Sequence, residues 1–338
     1  FIQFVPDFGE ESPYRTVVRV TQSESALYIA FEAFDPEPSR IAAAATQRDS
    51  GLRRDDSVFV AIDTFGDERT AYYFQTNALA TQEDGRIADN GRTVDDRWDA
   101  EWRSAAMRYE DRWVAEFEIP FSILKYASDS PATWRINFMR KVPRRLETSL
   151  WSGPGESVWR VSSFGEISNI QLPVQESDPW VFIPYGLAVF EEGEDADFDA
   201  GVDVRWRPST RFGVDLTLNP DFALVEADVE EINLSRFELR IPEKRPFFLE
   251  GNEMYQQRLR QFYSRRIGDI DWGAKASGKL GQTDFSTIFT AEDIDLDDGS
   301  GRRKADYGVL RLQQSLARGS SVGLLAANRS FAGDNAGS

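Results

Sequence analysis

The chain has 338 residues, enough for two domains, and its 41% hydrophobic and 13% aromatic content can bury a sizeable core. It contains neither cysteine nor histidine, which excludes disulfides, thiolate or imidazole metal sites, and Ser-His-Asp or Cys-His catalysis. The net charge of −18, from 57 acidic and 39 basic residues, sets a field that repels a phosphate backbone and argues against nucleic acid as a partner.

No apolar run approaches the ~18 residues of a transmembrane helix. There is no initiator Met and no signal peptide, and both ends read as truncations. Residues 16–20, 26–34, 57–63 and 70–77 are rich in β-branched and aromatic side chains and predict strands. Turn-forming clusters such as Asp35-Pro36-Glu37-Pro38 and Gly66-Asp67 separate them. Residues 112–119 alternate: Trp113, Ala115, Phe117 and Ile119 point one way, Val114, Glu116 and Glu118 the other, which predicts a strand with one buried face. Residues 120–126 read as a short helical turn, and 134–140 as another strand. Many short strands at this spacing predict an antiparallel β-sandwich over residues 1–172.

Residues 171–179 form a polar, proline-bearing hinge, and a second domain is expected over 178–338. There Val202, Val204 and Trp206 alternate with Asp203, Arg205 and Arg207. After a tight turn at 208–211, Phe212, Val214, Leu216 and Leu218 alternate with Gly213, Asp215, Thr217 and Asn219. Trp272, Ala274, Ala276 and Gly278 repeat the pattern against Asp271, Lys275, Ser277 and Lys279, followed by Gly281-Gln282 and Phe285, Thr287 and Phe289. Residues 304–315 and 320–331 make one more pair. Strands of ~10 residues, half apolar and half charged, suit the wall of a transmembrane barrel, although a soluble antiparallel sheet shares the period. Loop lengths favour the barrel: 208–211, 281–282 and 316–319 are tight, while 191–199, 220–270 and 292–303 are long. Barrels of this kind have short periplasmic turns and long extracellular loops. That orientation starts the first barrel strand, 180–190, on the periplasmic side and places the preceding sandwich in the periplasm.

Three runs carry a resemblance: Asn219-Pro220-Asp221-Phe222-Ala223-Leu224-Val225-Glu226-Ala227-Asp228, then Pro242-Glu243-Lys244-Arg245-Pro246-Phe247-Phe248-Leu249-Glu250-Gly251, then Phe262-Tyr263-Ser264-Arg265-Arg266-Ile267-Gly268. They resemble the signature of a widespread, largely uncharacterised family of bacterial outer-membrane proteins with an N-terminal domain similar to family 9 carbohydrate-binding modules and a C-terminal β-barrel. Asp55-Asp56-Ser57-Val58, Ile62-Asp63-Thr64-Phe65, Phe74-Gln75-Thr76-Asn77 and Trp98-Asp99-Ala100-Glu101-Trp102 are similar to runs of the same family upstream. The resemblance implies an all-β chain: a sandwich lacking its first strand, then the first strands of a transmembrane antiparallel barrel, about seven of them, with a long insertion at 220–270. Its motif positions here are Asn219, Pro220, Asp221, Glu226, Asp228, Glu243, Lys244, Arg245, Arg265 and Arg266.

Family 9 modules clasp a sugar between two tryptophans, so the resemblance makes Trp98, Trp102, Asp99, Gln75 and Asn77 the candidate ligand contacts. Gln75 and Asn77, two apart on a strand, share one face. The alternative is core tryptophans with turn-capping aspartates. Asp55, Asp56 and Asp63 supply oxygen ligands of the kind calcium takes, and calcium is the possible cofactor; strand-end caps are the alternative. The insertion, too long for an ordinary loop, is expected to fold into the barrel mouth, its arginines pairing with carboxylates of the wall. The expected function is an outer-membrane barrel, in contact with lipid, whose periplasmic sandwich binds a saccharide or related small molecule for uptake or processing. The alternatives are an enzyme associated with glycoside hydrolysis, for which no nucleophile motif is present, and a structural or assembly protein that docks a partner through the sandwich.

Overall fold

A computed structural model describes residues 1–127, 130–153, 155–173, 179–189, 197–220, 243–249, 251–255, 261–295, 302–316 and 320–331. The chain forms two compact units, Phe1–Gln175 with Ser315–Ser320, and Glu176–Gln314 with Ser321–Ser338. It is all-β, built from antiparallel sheets, as the sequence predicts.

The strands of the first unit are β1 (Ile2–Val5), β2 (Thr16–Gln22), β3 (Ala26–Phe34), β4 (Ser57–Asp63), β5 (Ala71–Asn77), β6 (Gln82–Ala88), β7 (Thr93–Asp95), β8 (Arg103–Arg108), β9 (Arg112–Pro120), β10 (Ala132–Val142), β11 (Glu147–Leu150) and β12 (Gly165–Ile170). An eight-stranded sheet has the order β1-β11-β10-β4-β5-β6-β7, with β12 also paired to β10, and a four-stranded sheet has the order β2-β3-β9-β8. Ile2–Val5 pairs with β11 at the edge of the larger sheet. The expected helical turn is a 3-10 turn at Phe121–Ile123.

The sheets pack through side chains of one parity. Leu27, Ile29 and Phe31 of β3 and Trp113, Ala115, Phe117 and Ile119 of β9 meet Val58, Val60, Ile62, Phe74, Trp134, Ile136 and Phe138 in one core. Glu116 lies exposed on the other face, as the alternation predicts. Each large apolar side chain buried here is worth roughly 1.5–3 kcal/mol, so a one-residue slip of β9 would forfeit several times that amount. The outer face of the larger sheet carries a second core of Phe59, Tyr73, Met139 and Leu150 beneath Val161 and Phe164. That covering explains why β4 and β5 are buried at every position. Arg140, buried in β10, donates to the carbonyls of Arg15 (3.1 Å) and Phe34 (2.9 Å), fastening the two sheets through backbone at the ends of β2 and β3. Arg144 grips Asp35 with one nitrogen at 2.6 and 2.8 Å from its two oxygens.

The second unit is a curled, seven-stranded antiparallel sheet in sequence order: β13 (Trp180–Val189), β14 (Asp197–Ser209), β15 (Phe212–Leu218), β16 (Ile270–Leu280), β17 (Thr283–Asp295), β18 (Arg302–Ser315) and β19 (Ser321–Phe331). Its polarity is the reverse of the sandwich's. Register places Val204 opposite Leu216, Leu216 opposite Ala274 and Leu218 opposite Trp272. Within this set Leu216, Leu218 and Trp272 are exposed, as are Phe289 and Leu310 further along. The intervening positions Asp215, Thr217, Lys275, Ser277, Lys279, Ser286, Thr290 and Arg311 are the buried ones. Aromatic rings run across the short-turn end: Trp180 stacks on Trp206 at 5.5 Å, Trp206 meets Phe212 at 6.0 Å, and Phe212 stacks on Phe285 at 6.0 Å. Phe212 and Phe285 belong to strands separated by β16. They meet over Gly278, where a Cβ would lie 3.1 Å from the Phe285 ring and 2.5 Å from the Arg211 carbonyl oxygen.

Candidate functional site

The sandwich does not assemble the sugar clasp expected from the sequence. Trp98 is half-buried against Tyr72 (5.0 Å between centroids) and Phe74 (6.1 Å), on the inner face of the larger sheet. Trp102 lies in the core between the sheets, parallel to Phe117 at 5.5 Å, and its Nε1 donates to Asp84 at 3.1 Å. Gln75 and Asn77 do share a face, but it is the opposite one, with Tyr73. Gln75 donates to Ser57 Oγ at 2.8 Å. Asn77 donates to Asp55 (2.8 Å) and the Ala45 carbonyl (2.9 Å), and its Oδ1 accepts from the amides of Leu79 and Thr81 (both 2.9 Å). Both are almost wholly buried. The polar pair and the tryptophans therefore flank the sheet rather than a common ligand, because residues five or more apart on a chain that turns in between carry no parity relation.

Asp99 is exposed and pairs with Arg48 at 2.5 Å. The same guanidinium reaches Asp84 at 2.5 Å and Asp49 at 3.3 Å. Oxygens of Asp49, Asp84 and Asp99 lie within 4.8 Å of one another, but Arg48 already supplies their positive charge. Burial raises the Asp84 carboxyl to about 6, against the opposing influence of Trp102 and Arg48.

The three aspartates expected to hold calcium are turn and strand-end caps. Asp55 accepts from the amides of Ala44 (3.1 Å) and Ala45 (2.9 Å), and Asp56 from Ala42 (2.8 Å). Asp63 accepts from four successive amides, Phe65 to Glu68, at 2.7 to 3.3 Å. Oxygens aimed at backbone N–H groups inside the fold are turned away from a shared cation. The melting temperature should therefore be the same in excess calcium and in excess chelator, and a fall of several degrees on chelation would contradict this placement.

Burial, with the nearby Asp67 carboxylate second, pushes Asp63 up to about 7 despite those donors. A carboxyl raised in the folded state binds more protons there than in the unfolded chain. Its contribution therefore favours folding below the unfolded value near 4 and is lost as pH rises toward 7. The wild-type stability should fall more steeply over this window than that of Asp63→Asn, measured by urea unfolding at stepped pH. Parallel pH curves would refute the assignment.

In the second unit, Asn219 takes a positive φ of 49° where β15 ends, and its side chain donates to the Ala200 carbonyl at 3.0 Å. Pro220 follows it, partly exposed. Asp221, Glu226 and Asp228 lie outside the described residues. Glu243 and Arg245 form a buried bidentate pair at 2.9 and 2.8 Å. The same guanidinium donates to the carbonyls of Ser264 (2.9 Å), Ile267 (2.8 Å) and Gly268 (2.9 Å) and lies 4.3 Å from the Phe248 ring centre. Arg265 approaches Glu243 at 3.7 Å, Lys244 is half-buried, and Arg266 is exposed. Burial alone would raise the Glu243 carboxyl; hydrogen bonds and charge from Arg245 outweigh it and hold it below the usual range. Glu243 and Arg245 thus tie residues 243–248 and 264–268 into a knot.

That knot rests on the polar face of the sheet. Lys275 Nζ donates to the Phe247 carbonyl at 2.7 Å, Arg311 Nε to the Met254 carbonyl at 3.0 Å, and Tyr255 and Ser286 share a 2.6 Å hydrogen bond. Glu292 accepts from the Gly268 amide. Phe247 lies against Gly273, where a Cβ would come within 2.6 Å of its ring. The sequence reading had arginines of the insertion reaching wall carboxylates. Arg245 bonds within the insertion, and Lys275 and Arg311 of the sheet reach backbone carbonyls of the insertion, which no pattern of charges in the sequence reveals.

Among solved structures, a protein from Bacteroides uniformis described as a "putative carbohydrate-binding protein" is similar at 15% identity and a TM-score of 0.39, over 46% of this chain and 78% of that one. No curated protein matches. Residues 180–309, from the first residue of β13 into β18, match a family described as a domain of unknown function, DUF5916.

Proposed function

We propose that the chain belongs to an outer-membrane β-barrel protein of a Gram-negative bacterium, with β13–β19 as wall strands and the first unit as a periplasmic domain that binds a saccharide. The observation that carries the membrane part is the reversed polarity of the curled sheet. Large apolar side chains such as Leu216, Leu218, Trp272 and Phe289 are exposed on one face, while Asp215, Lys275, Lys279 and Arg311 are buried on the other. A water-soluble sheet would do the opposite, since exposing these side chains forfeits roughly 1.5–3 kcal/mol each. A lipid-facing wall with a polar interior accounts for both faces. The row Trp180, Trp206, Phe212 and Phe285 fits the aromatic girdle at a membrane–water boundary. The chain enters β13 at this same end, where the short turns lie, which favours the periplasmic side for the residues before it.

The saccharide part is supported by the antiparallel sandwich and by the resemblance of its strand runs to family 9 modules. Binding is favoured over hydrolysis: the carboxylates Glu116 and Glu118, two apart on β9, lie on its outer face, where Glu118 meets Tyr28 at 3.5 Å and Arg103 at 3.6 Å. Fractionation of cell envelopes tests the localisation. The protein should stay with the outer-membrane pellet through alkaline carbonate extraction, and recovery in the soluble periplasmic fraction would overturn the reading.

A further inference from the structure

In the first unit a shallow, solvent-open cavity of about 670 Å³ lies between the loop after β1 and residues 155–163, lined in part by Phe4, Phe8, Glu156, Arg160, Ser162 and Ser163. Its volume falls within the ~300–1,000 Å³ of small-molecule sites. We infer that this cavity, and not the Trp98–Trp102 region, is the saccharide-binding site of the sandwich; the inference rests on the saccharide reading above.

Phe8 is 63% exposed, an aromatic ring held out toward solvent. Its loop is braced at the base: the Gly9 amide donates to Gln3 at 2.9 Å, Gln3 to Glu10 at 2.8 Å, and Glu10 to Asp7 at 3.0 Å. Phe4 meets the ring edge-on at 6.1 Å. The opposite wall is fixed as well. The Ser162 amide donates to Asn90 Oδ1 at 2.9 Å, and Asn90 Nδ2 to Ser162 Oγ at 3.0 Å. Gly91 closes this brace, since a Cβ there would lie 2.4 Å from the Trp159 carbonyl oxygen. Arg160 Nε donates to Ser162 Oγ at 3.1 Å while its Nη1 pairs with Glu156.

The cavity therefore presents an apolar ring on one side and a guanidinium, a carboxylate and hydroxyls on the other. Arg160 and Glu156 cancel in charge, which disfavours an anion or a cation as ligand. A neutral pyranose matches both walls: its C–H face lies on an aromatic ring, and its neighbouring hydroxyls both donate and accept. Ordering the walls before binding lowers the entropic cost of capture.

The test is binding of the intact chain to an array of neutral glycans (β-glucans, xylans, mannans and chitin fragments) for wild type, Phe8→Ala, Glu156→Gln and Trp98→Ala. Phe8→Ala and Glu156→Gln should each weaken the wild-type glycan by about tenfold or more. Both side chains are exposed, so the thermal melt of each variant should stay at the wild-type value. Full binding in both variants would overturn the site while leaving the saccharide reading intact, and loss on Trp98→Ala alone would return the site to the tryptophans. Wild-type protein that binds nothing on the array would overturn the saccharide reading together with the site.

Discussion

Leu216→Arg is expected to destabilise the second unit in a lipid bilayer by about 2–4 kcal/mol, the cost of a cation on the lipid face at mid-membrane. Leu216 is one of the two central outward residues of β15, between Val204 and Ala274 in the ladder, and 41% exposed. On a soluble surface the same change would fall within about ±0.5 kcal/mol. The two environments thus differ severalfold in predicted effect at one position. Urea unfolding from phospholipid vesicles measures it, and a near-zero change would argue that this face meets water.

Arg245→Met should be the most damaging single change among the described residues of the insertion. It leaves Glu243 buried without its bidentate partner and strips donors from three carbonyls at 264, 267 and 268. Breaking a buried pair on one side typically costs about 3–5 kcal/mol. Limited proteolysis should then cut between 243 and 268 while the sheet resists. The double variant Glu243→Gln/Arg245→Met should recover part of the loss, because no charge is left stranded. If the single variant is as protected as wild type, Arg245 does not hold the insertion together.

Much of the fold was legible in the sequence where burial follows a simple period. The runs around Ile29 and Val60, rich in β-branched and aromatic residues, and the alternating runs around Phe117 and Leu216 each became the predicted strand. The strands that escaped notice are short or polar. β6 reads Gln-Glu-Asp-Gly-Arg-Ile-Ala and is held by pairs made in three dimensions, such as Asp84 with Trp102 and Arg48, which local propensity cannot report. β1, β7, β8, β11 and β12 are short strands, and β1 finds its partner β11 far away in sequence.

Site geometry was less legible, for a related reason. The shared face of Gln75 and Asn77 follows from strand geometry, but their burial depends on loops that cover that face. Trp102 carries the composition of a sugar platform and the environment of a core residue, and only the position of Phe117 across the sheet decides between them. Phe8 gave no signal at all, since one aromatic residue in a turn resembles any other until its exposure is known. Glu243 and Arg245 stood out as a charged run, yet their roles, a salt bridge and a carbonyl clamp, depend on where residues 264–268 return.

The absence of native cysteine makes the central claim directly measurable. Single cysteines at Val214, Leu216 and Ala274 on the apolar face, and at Thr217, Ser277 and Ser286 on the polar face, can each carry a nitroxide in bilayer-reconstituted protein. Collision with oxygen, which concentrates in lipid, and with a water-soluble nickel chelate then reports the surroundings of each label. The account predicts high oxygen and low nickel accessibility at 214, 216 and 274, and low oxygen accessibility at 217, 277 and 286. Nickel-accessible labels at 214, 216 and 274, with no excess of oxygen collisions, would contradict it.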